Sequence, residues 1–436
     1  MNHARKATTN TQTAPDKRTL GLRELVILTA SLWALNAFAI DMMLPALGTI
    51  SSDLGVTNNN DRQLMIVVYI IANGFAQLFF GPIVDRFGRR PVMLWALSFY
   101  ILASVWSIFA SGFTFMLFAR AVQGSATAAT RVASIALVRD HVAGREMAKV
   151  MSLVITIFMA APIIAPAIGQ GILMVGPWRW IFGALMVYGL VISIWIFFRI
   201  PETMEQNAKS TMSARTILGN YVSFFSHRTS AGYTIAGAFI FASLFAFIST
   251  SEQLFIETFE VGDYFALAFA AVALPLAVSS IINSRLVEKY GMRRISHTSL
   301  IAFIVFAGLH CAVFFAGIEN FWLFEIFMGL AFFCLGLFAS NCTSIAMEPM
   351  GHIAGSAGAA NGFASTAMSG IIGGSIGQAY DGTPGAIITA MLALGVSSLL
   401  VVLYAERGHL FEPVARNPGD EGKPEEGAPN NNRTTQ

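Results

Sequence analysis

The chain has 436 residues, of which 55% are hydrophobic and only 12% charged, and its formal net charge is +2. A soluble domain carries about 25% charged residues, so this chain lacks the charge to coat a water-facing surface. With a mean hydropathy of +0.63, lipid is the solvent for most of it, and the near-neutral balance gives no basis for nucleic-acid binding. Cys311, Cys334 and Cys342 fall in apolar stretches without metal-ligand or disulfide spacing, and the seven histidines are scattered. No metal or cofactor is expected.

The polar N-terminus runs into an apolar segment with no small-residue cleavage site, which reads as an uncleaved first membrane helix. A spanning helix needs about 20 mostly apolar residues. Spans are predicted over 24–47, 62–84, 91–111, 113–138, 148–173, 178–200, 231–252, 263–284, 295–317, 321–346, 355–378 and 384–405. The long polar connection is 201–230. The chain therefore divides into a cytoplasmic tail (1–23), a six-helix bundle (24–200), a cytoplasmic linker (201–230), a second six-helix bundle (231–405) and a cytoplasmic tail (406–436) whose composition predicts disorder. The expected fold is an all-α membrane protein with 12 transmembrane helices in two pseudo-symmetric bundles.

Of the 27 Lys and Arg residues, 23 fall on one side of these spans. The excess puts both termini and the linker in the cytoplasm. Arg62 and Arg179 lie on the other side, and Arg120 and Arg131 lie inside the fourth span.

Within the first span, Asp41 precedes Pro45 by four residues. Proline has no N–H, so the carbonyl of residue 41 loses its helical donor and a bend is expected beside the acid. Desolvation favours the neutral form of a carboxyl, so such a group can take up and release a proton near neutral pH. It can also simply lock the outer end of the helix. In the fourth span, Arg120, Gln123 and Gly124 fall on one face, which Thr127 and Arg131 continue. Such a stripe should look inward, with Arg120 tuning a nearby acid or holding helices together. Arg131, nearer the cytoplasmic end, can snorkel. Pro162, Pro166 and Gly169 share a face of the fifth span. Glu252 and Glu325 are secondary ionisable candidates. Gly370, Gly373, Gly374 and Gly377 make a close-packing face in the eleventh span.

Between the second and third spans, Gly81, Asp85, Arg86, Gly88, Arg89 and Arg90 form a compact charged turn. A weaker copy follows 203 residues later, where Glu288, Lys289, Tyr290 and Gly291 align with Asp85, Arg86, Phe87 and Gly88. Such duplication is typical of transporters.

The Gly81 to Arg90 turn resembles the signature loop of the major facilitator superfamily, over a match running from about residue 20 to 405. The resemblance implies a cytoplasmic gate formed by Asp85, Arg86, Arg89 and Arg90. Arg120-Gln123-Gly124 resembles the family's helix-four motif linked to proton coupling, and the Pro162 to Gly171 run is similar to its helix-five antiporter motif. Asp41 with Leu44-Pro45-Ala46-Leu47, Arg139-Asp140 and Trp178-Arg179 resembles the Bcr/CflA drug:proton antiporters. Three departures stand out: Ala165 before the second proline, Gln170 where glycine is common, and Trp33 where some relatives carry a second acid.

The resemblance implies a monomeric, multi-pass protein of the bacterial inner membrane. It would exchange protons for small, partly hydrophobic drugs of chloramphenicol or bicyclomycin type or broader. Its partners would be the bilayer, the substrate and protons. The alternative is a proton-coupled carrier of a native metabolite. An enzyme is disfavoured because no nucleophile–base pair appears, and a sensor because no soluble output domain does.

Overall fold

A computed structural model describes residues 20–203 and 213–411. Expectations for 1–19, for 204–212 of the linker and for the tail from 412 fall outside the described residues. Among the described residues, twelve helices have 20 or more residues. In the first half these are α1 (Leu22–Asp41), α3 (Leu64–Phe87), α4 (Arg89–Ile108), α5 (Phe113–His141), α6 (Gly144–Val175) and α7 (Arg179–Arg199). In the second half they are α9 (Arg228–Glu252), α10 (Phe265–Tyr290), α11 (Met292–Phe315), α12 (Phe321–Met347), α13 (Ala354–Gln378) and α14 (Gly385–Ala405). Two shorter helices, α2 (Leu47–Asp53) and α8 (Ala214–Ser226), complete the helical set with brief 3₁₀ and π turns.

Ten segments are long and apolar enough to cross a membrane, against the twelve expected. The difference has two causes. Phe321–Gln378 counts once although it holds both α12 and α13. Helix α5 falls short because Arg120, Gln123, Thr127, Thr130, Arg131 and Ser134 dilute its apolar content.

The helices of each half pack chiefly on one another, and two cross-pairs, α3 with α13 and α6 with α10, join the halves. Large side chains such as Phe79, Phe99, Phe118, Phe198 and Leu400 stay exposed on the outside, as a lipid-facing surface requires. Small residues sit at the seams. A Cβ on Gly74 would lie 2.7 Å from the Ala367 nitrogen, so α3 and α13 touch backbone to backbone. The glycine face of α13 serves two neighbours, with Gly370 and Gly374 against Ile70 and Val67 of α3, and Gly373 against α9.

The repeated charged turn has a common backbone. Gly88 between α3 and α4 has φ +98°, and Gly291 between α10 and α11 has φ +79°. L-residues resist that region, so glycine stands at the same point in both halves.

The linker carries structure of its own in α8, and α9 begins at Arg228, three residues before the predicted start. Buried Phe224 packs on Met350, Ala357 and Ala360. The Tyr221 hydroxyl donates to the Leu78 carbonyl at 2.8 Å and Asn220 Nδ2 to Ser356 Oγ at 3.1 Å, so α8 touches α3 and α13 together.

Candidate functional site

Asp41 is the last residue of α1, where the chain turns through a 3₁₀ segment (Leu44–Ala46) containing Pro45 before α2 resumes the path. The bend expected from the missing proline donor is present. The Asp41 side chain is 3% exposed, its Oδ1 has no hydrogen-bond partner, and no cation pairs with it among the described residues. A carboxylate charge there would have nothing to offset it, whereas a protonated carboxyl needs no counterion.

The α5 stripe faces α1 and α3, as its spacing implies. Gly124 abuts the Tyr69 backbone so closely that a side chain would not fit. The Tyr69 hydroxyl meets Thr127 Oγ1 at 2.8 Å and donates to Asn36 Oδ1 at 2.9 Å. Asn73 Nδ2 donates to the Gly124 carbonyl and to Thr127 Oγ1, both at 3.1 Å.

Arg120 is fully buried. Its Nε donates to the Met65 carbonyl at 3.1 Å, its Nη1 to Gln123 Oε1, and its Nη2 has no partner. The guanidinium lies 4.4 Å over the Tyr69 ring. Gln123 Nε2 donates on to Ser104 Oγ at 2.9 Å. Arg120 therefore joins α3, α4 and α5 and makes no ion pair with Asp41. Tyr69 lies beneath the Arg120 guanidinium.

The α6 motif meets this site at the bend. Pro162 and Pro166 lie inside a continuous helix, and Gly169 lies against the Met42 carbonyl with no room for a Cβ. Gly169→Val should drive α6 off α1 and cost about 1–3 kcal/mol of overpacking. A drop in the melting temperature of the detergent-solubilised protein measures this, and an unchanged value would contradict the close approach.

The charged turn makes its ion pairs within the first half. Asp85 pairs with Arg89 at 3.6 Å and Arg139 at 3.9 Å, and Arg89 pairs with Asp140 at 2.8 Å. Glu202 accepts from the backbone nitrogens of Arg89 and Arg90, each at 3.1 Å. Arg86 lies over the Phe87 ring, 5.5 Å from its centroid. The second half repeats the scheme, since Arg293 pairs with Glu348 after α12 at 3.1 Å and with Glu406 after α14 at 2.9 Å.

At the opposite end the halves are clasped. Arg62 pairs with Glu252 of α9 at 2.9 Å, with both side chains about 5% exposed, and also with Glu257. Gln63 Nε2 donates to Gln253 Oε1 at 2.5 Å, and Gln253 Nε2 to Asn60 Oδ1 at 2.8 Å. Asn60 Nδ2 donates to the carbonyl of Tyr380 at 2.8 Å. On the other seam, Gln170 Nε2 donates to the Asp263 carbonyl at 3.0 Å, and its Oε1 accepts from Ala266 N at 3.2 Å.

Glu252 thus belongs to the clasp and not to the Asp41 neighbourhood. Glu325 lies on α12 in the other half, 9% exposed, with neither carboxyl oxygen partnered. Arg131 continues the Arg120 stripe and stands 4.8 Å over the Trp33 ring. Sequence reasoning missed Arg62 as a functional residue. The available signal was that Arg62 is one of only two arginines on the arginine-poor side, the same side as the end of the span that carries Glu252.

Two helical bundles joined along two seams, with a buried acid at a broken helix, define a membrane transporter. The chain belongs to the Major Facilitator Superfamily, whose family model matches residues 29–378. It is 31% identical over 379 residues to a bicyclomycin resistance protein homolog of Haemophilus influenzae, covering 85% of this chain and 93% of the relative. It is 26% identical over 408 residues to multidrug resistance protein D of Escherichia coli K12, covering 92% and 98%. Its fold is similar to that of the E. coli xylose transporter XylE in a partially occluded inward-open conformation, with a TM-score of 0.70 and 10% identity over 88% of this chain and 97% of that one.

Proposed function

We propose that the chain is a proton-coupled exporter of small, partly hydrophobic drugs in a bacterial inner membrane, with both termini in the cytoplasm. The observation that carries this reading is the buried, unpaired Asp41 carboxyl at the break of α1, against the proline–glycine face of α6. A helix pair that meets at the titratable group can transmit its proton state to the motion of the halves. Proton and drug exchange only if they favour different states or compete for one. The relatives' names, which refer to bicyclomycin and multidrug resistance, support a drug as the cargo.

In this reading the Asp85 end is cytoplasmic and the Arg62 clasp closes the outer mouth. Asp41 takes a proton from outside and releases it inside, Arg120 fixes the Tyr69 surface beside it, and the Asp85–Arg90 turn forms the inner gate. One inward charge at 100 mV supplies about 2.3 kcal/mol, enough for roughly a 50-fold gradient of a neutral drug.

Drug accumulation in a pump-deficient bacterium expressing the chain, with and without a protonophore, tests the reading. Low accumulation that rises with protonophore supports it. Accumulation equal to that of empty vector for every antibiotic, dye and quaternary amine tried would sink drug export and leave a metabolite carrier.

A further inference from the structure

Arg131 lies ten residues before the end of α5, within the membrane-spanning part of the helix. It shares a face with Gly124, Thr127 and Ser134, which pack on α3 and α1, so it points into the bundle and not toward lipid. Its guanidinium stands 4.8 Å over Trp33. Trp33 is itself fixed, since its Nε1 donates to Ser134 Oγ at 3.1 Å and its ring meets Phe158 of α6 edge-on at 5.7 Å. Despite this inward setting the Arg131 side chain is exposed, whereas Arg120 is fully buried. Water therefore reaches the interior at this depth.

Among the described residues no acid pairs with Arg131. At that end of the same half, Glu24 is taken by Arg199 at 2.8 Å, and Asp85 and Asp140 by Arg89 at 3.6 Å and 2.8 Å. An arginine held over an indole, exposed and without a counterion among the described residues, keeps its N–H fork free for a ligand. Snorkelling does not account for it, because the guanidinium lies over Trp33 instead of reaching past the helix end.

We propose that Arg131, backed by Trp33, is an anion subsite of the transport cavity, and that the preferred cargo is an aromatic or partly apolar compound carrying one acidic group, such as a sulfonate or carboxylate. The proposal rests on the exporter reading and narrows its substrate class. Cations are disfavoured at this point of the cavity by the uncompensated charge.

The test uses the full chain in lipid nanodiscs and two fluorescent probes, 8-anilino-1-naphthalenesulfonate and N-phenyl-1-naphthylamine. They share a ring frame and differ by the sulfonate, and empty nanodiscs provide the blank. The wild type should bind the sulfonate about tenfold or more tightly than the neutral amine, the scale of one charge-assisted hydrogen-bonded pair. Arg131→Gln should erase that preference while the amine's affinity holds, and Arg131→Lys should keep part of it. Equal binding of the two probes by wild type, or an undiminished preference in Arg131→Gln, overturns the subsite. If the Gln variant does not fold, Arg131→Lys decides, because losing the planar fork must weaken the sulfonate relative to the amine. Export of both probes from proton-energised liposomes is scored separately. Export of the amine with no sulfonate preference removes the subsite and keeps the exporter. Sulfonate preference with export of neither probe keeps the anion subsite and overturns its assignment to the cargo.

Discussion

Asp41→Asn should leave a folded protein that binds drug and no longer exports it against a gradient. The amide is nearly isosteric and neutral, so it mimics the protonated carboxyl in a pocket that holds no counterion. Packing around α1, Met42 and Gly169 should therefore survive, and the melting temperature should stay close to wild type. What the amide cannot do is release a proton. In proteoliposomes with an imposed proton gradient, accumulation should fall from as much as roughly 50-fold at 100 mV to the passive level. Downhill drug exchange should persist. Uphill transport by Asp41→Asn at wild-type rate would move the coupling group elsewhere, with Glu325, whose oxygens are equally unpartnered, next to examine.

Breaking the Arg62 clasp should shift the balance between conformations by a comparable amount. Arg62 and Glu252 are both nearly excluded from solvent, and Glu257 adds a second carboxylate to the arginine. Removing one member of a buried pair leaves a bare charge and costs about 3–5 kcal/mol. That cost falls on the clasped state alone, so the population open at this end should rise a hundredfold or more, at about 1.4 kcal/mol per decade. A cysteine at Ser249, buried inside the clasp on α9, reports the opening to an impermeant maleimide. The native cysteines are all buried. Labelling should be fast in Arg62→Gln, which strands both carboxylates, and should rise less in Glu252→Gln, where Arg62 keeps Glu257. It should be slower again in the double variant, where two neutral amides can pair across the seam. Labelling at the wild-type rate in both single variants would mean that the hydrogen bonds of Asn60, Gln63 and Gln170 hold the mouth without the ion pair.

Features governed by local covalent chemistry were legible in the sequence. Pro45 dictated where α1 breaks, and the 3.6-residue period put Arg120, Gln123, Gly124 and Thr127 on one face. The paired glycines at 88 and 291 marked turns that need a positive φ. Features set by distant partners were not legible. Arg62 and Glu252 are 190 residues apart, and no local pattern states that a loop arginine and a helix acid meet. Arg131 looked able to reach water past the helix end, because snorkelling and facing a wet cavity have the same signature in one dimension. Helix α8 hid in a linker that is polar on average, since amphipathic stripes cancel in composition. Helix α5 shows the converse: its polar stripe, buried against α1 and α3 except at Arg131, weakens the apolar signal of a helix that lies among the others.

The charged networks at Arg89 and Arg293 each close within one half, linking the start of α4 to the last turn of α5 and the chain just after α7, and the start of α11 to the chain just after α12 and α14. Neither has to be broken when the halves tilt. Each half can therefore move as a stiff shell, and the work of switching falls on the few polar groups and glycine contacts at the seams. A mechanism arranged this way has a sparse set of tuning points. Evolution could retime the proposed cycle by altering Asn60, Arg62, Gln170 or Gly74, leaving Asp41 and Arg131 unaltered.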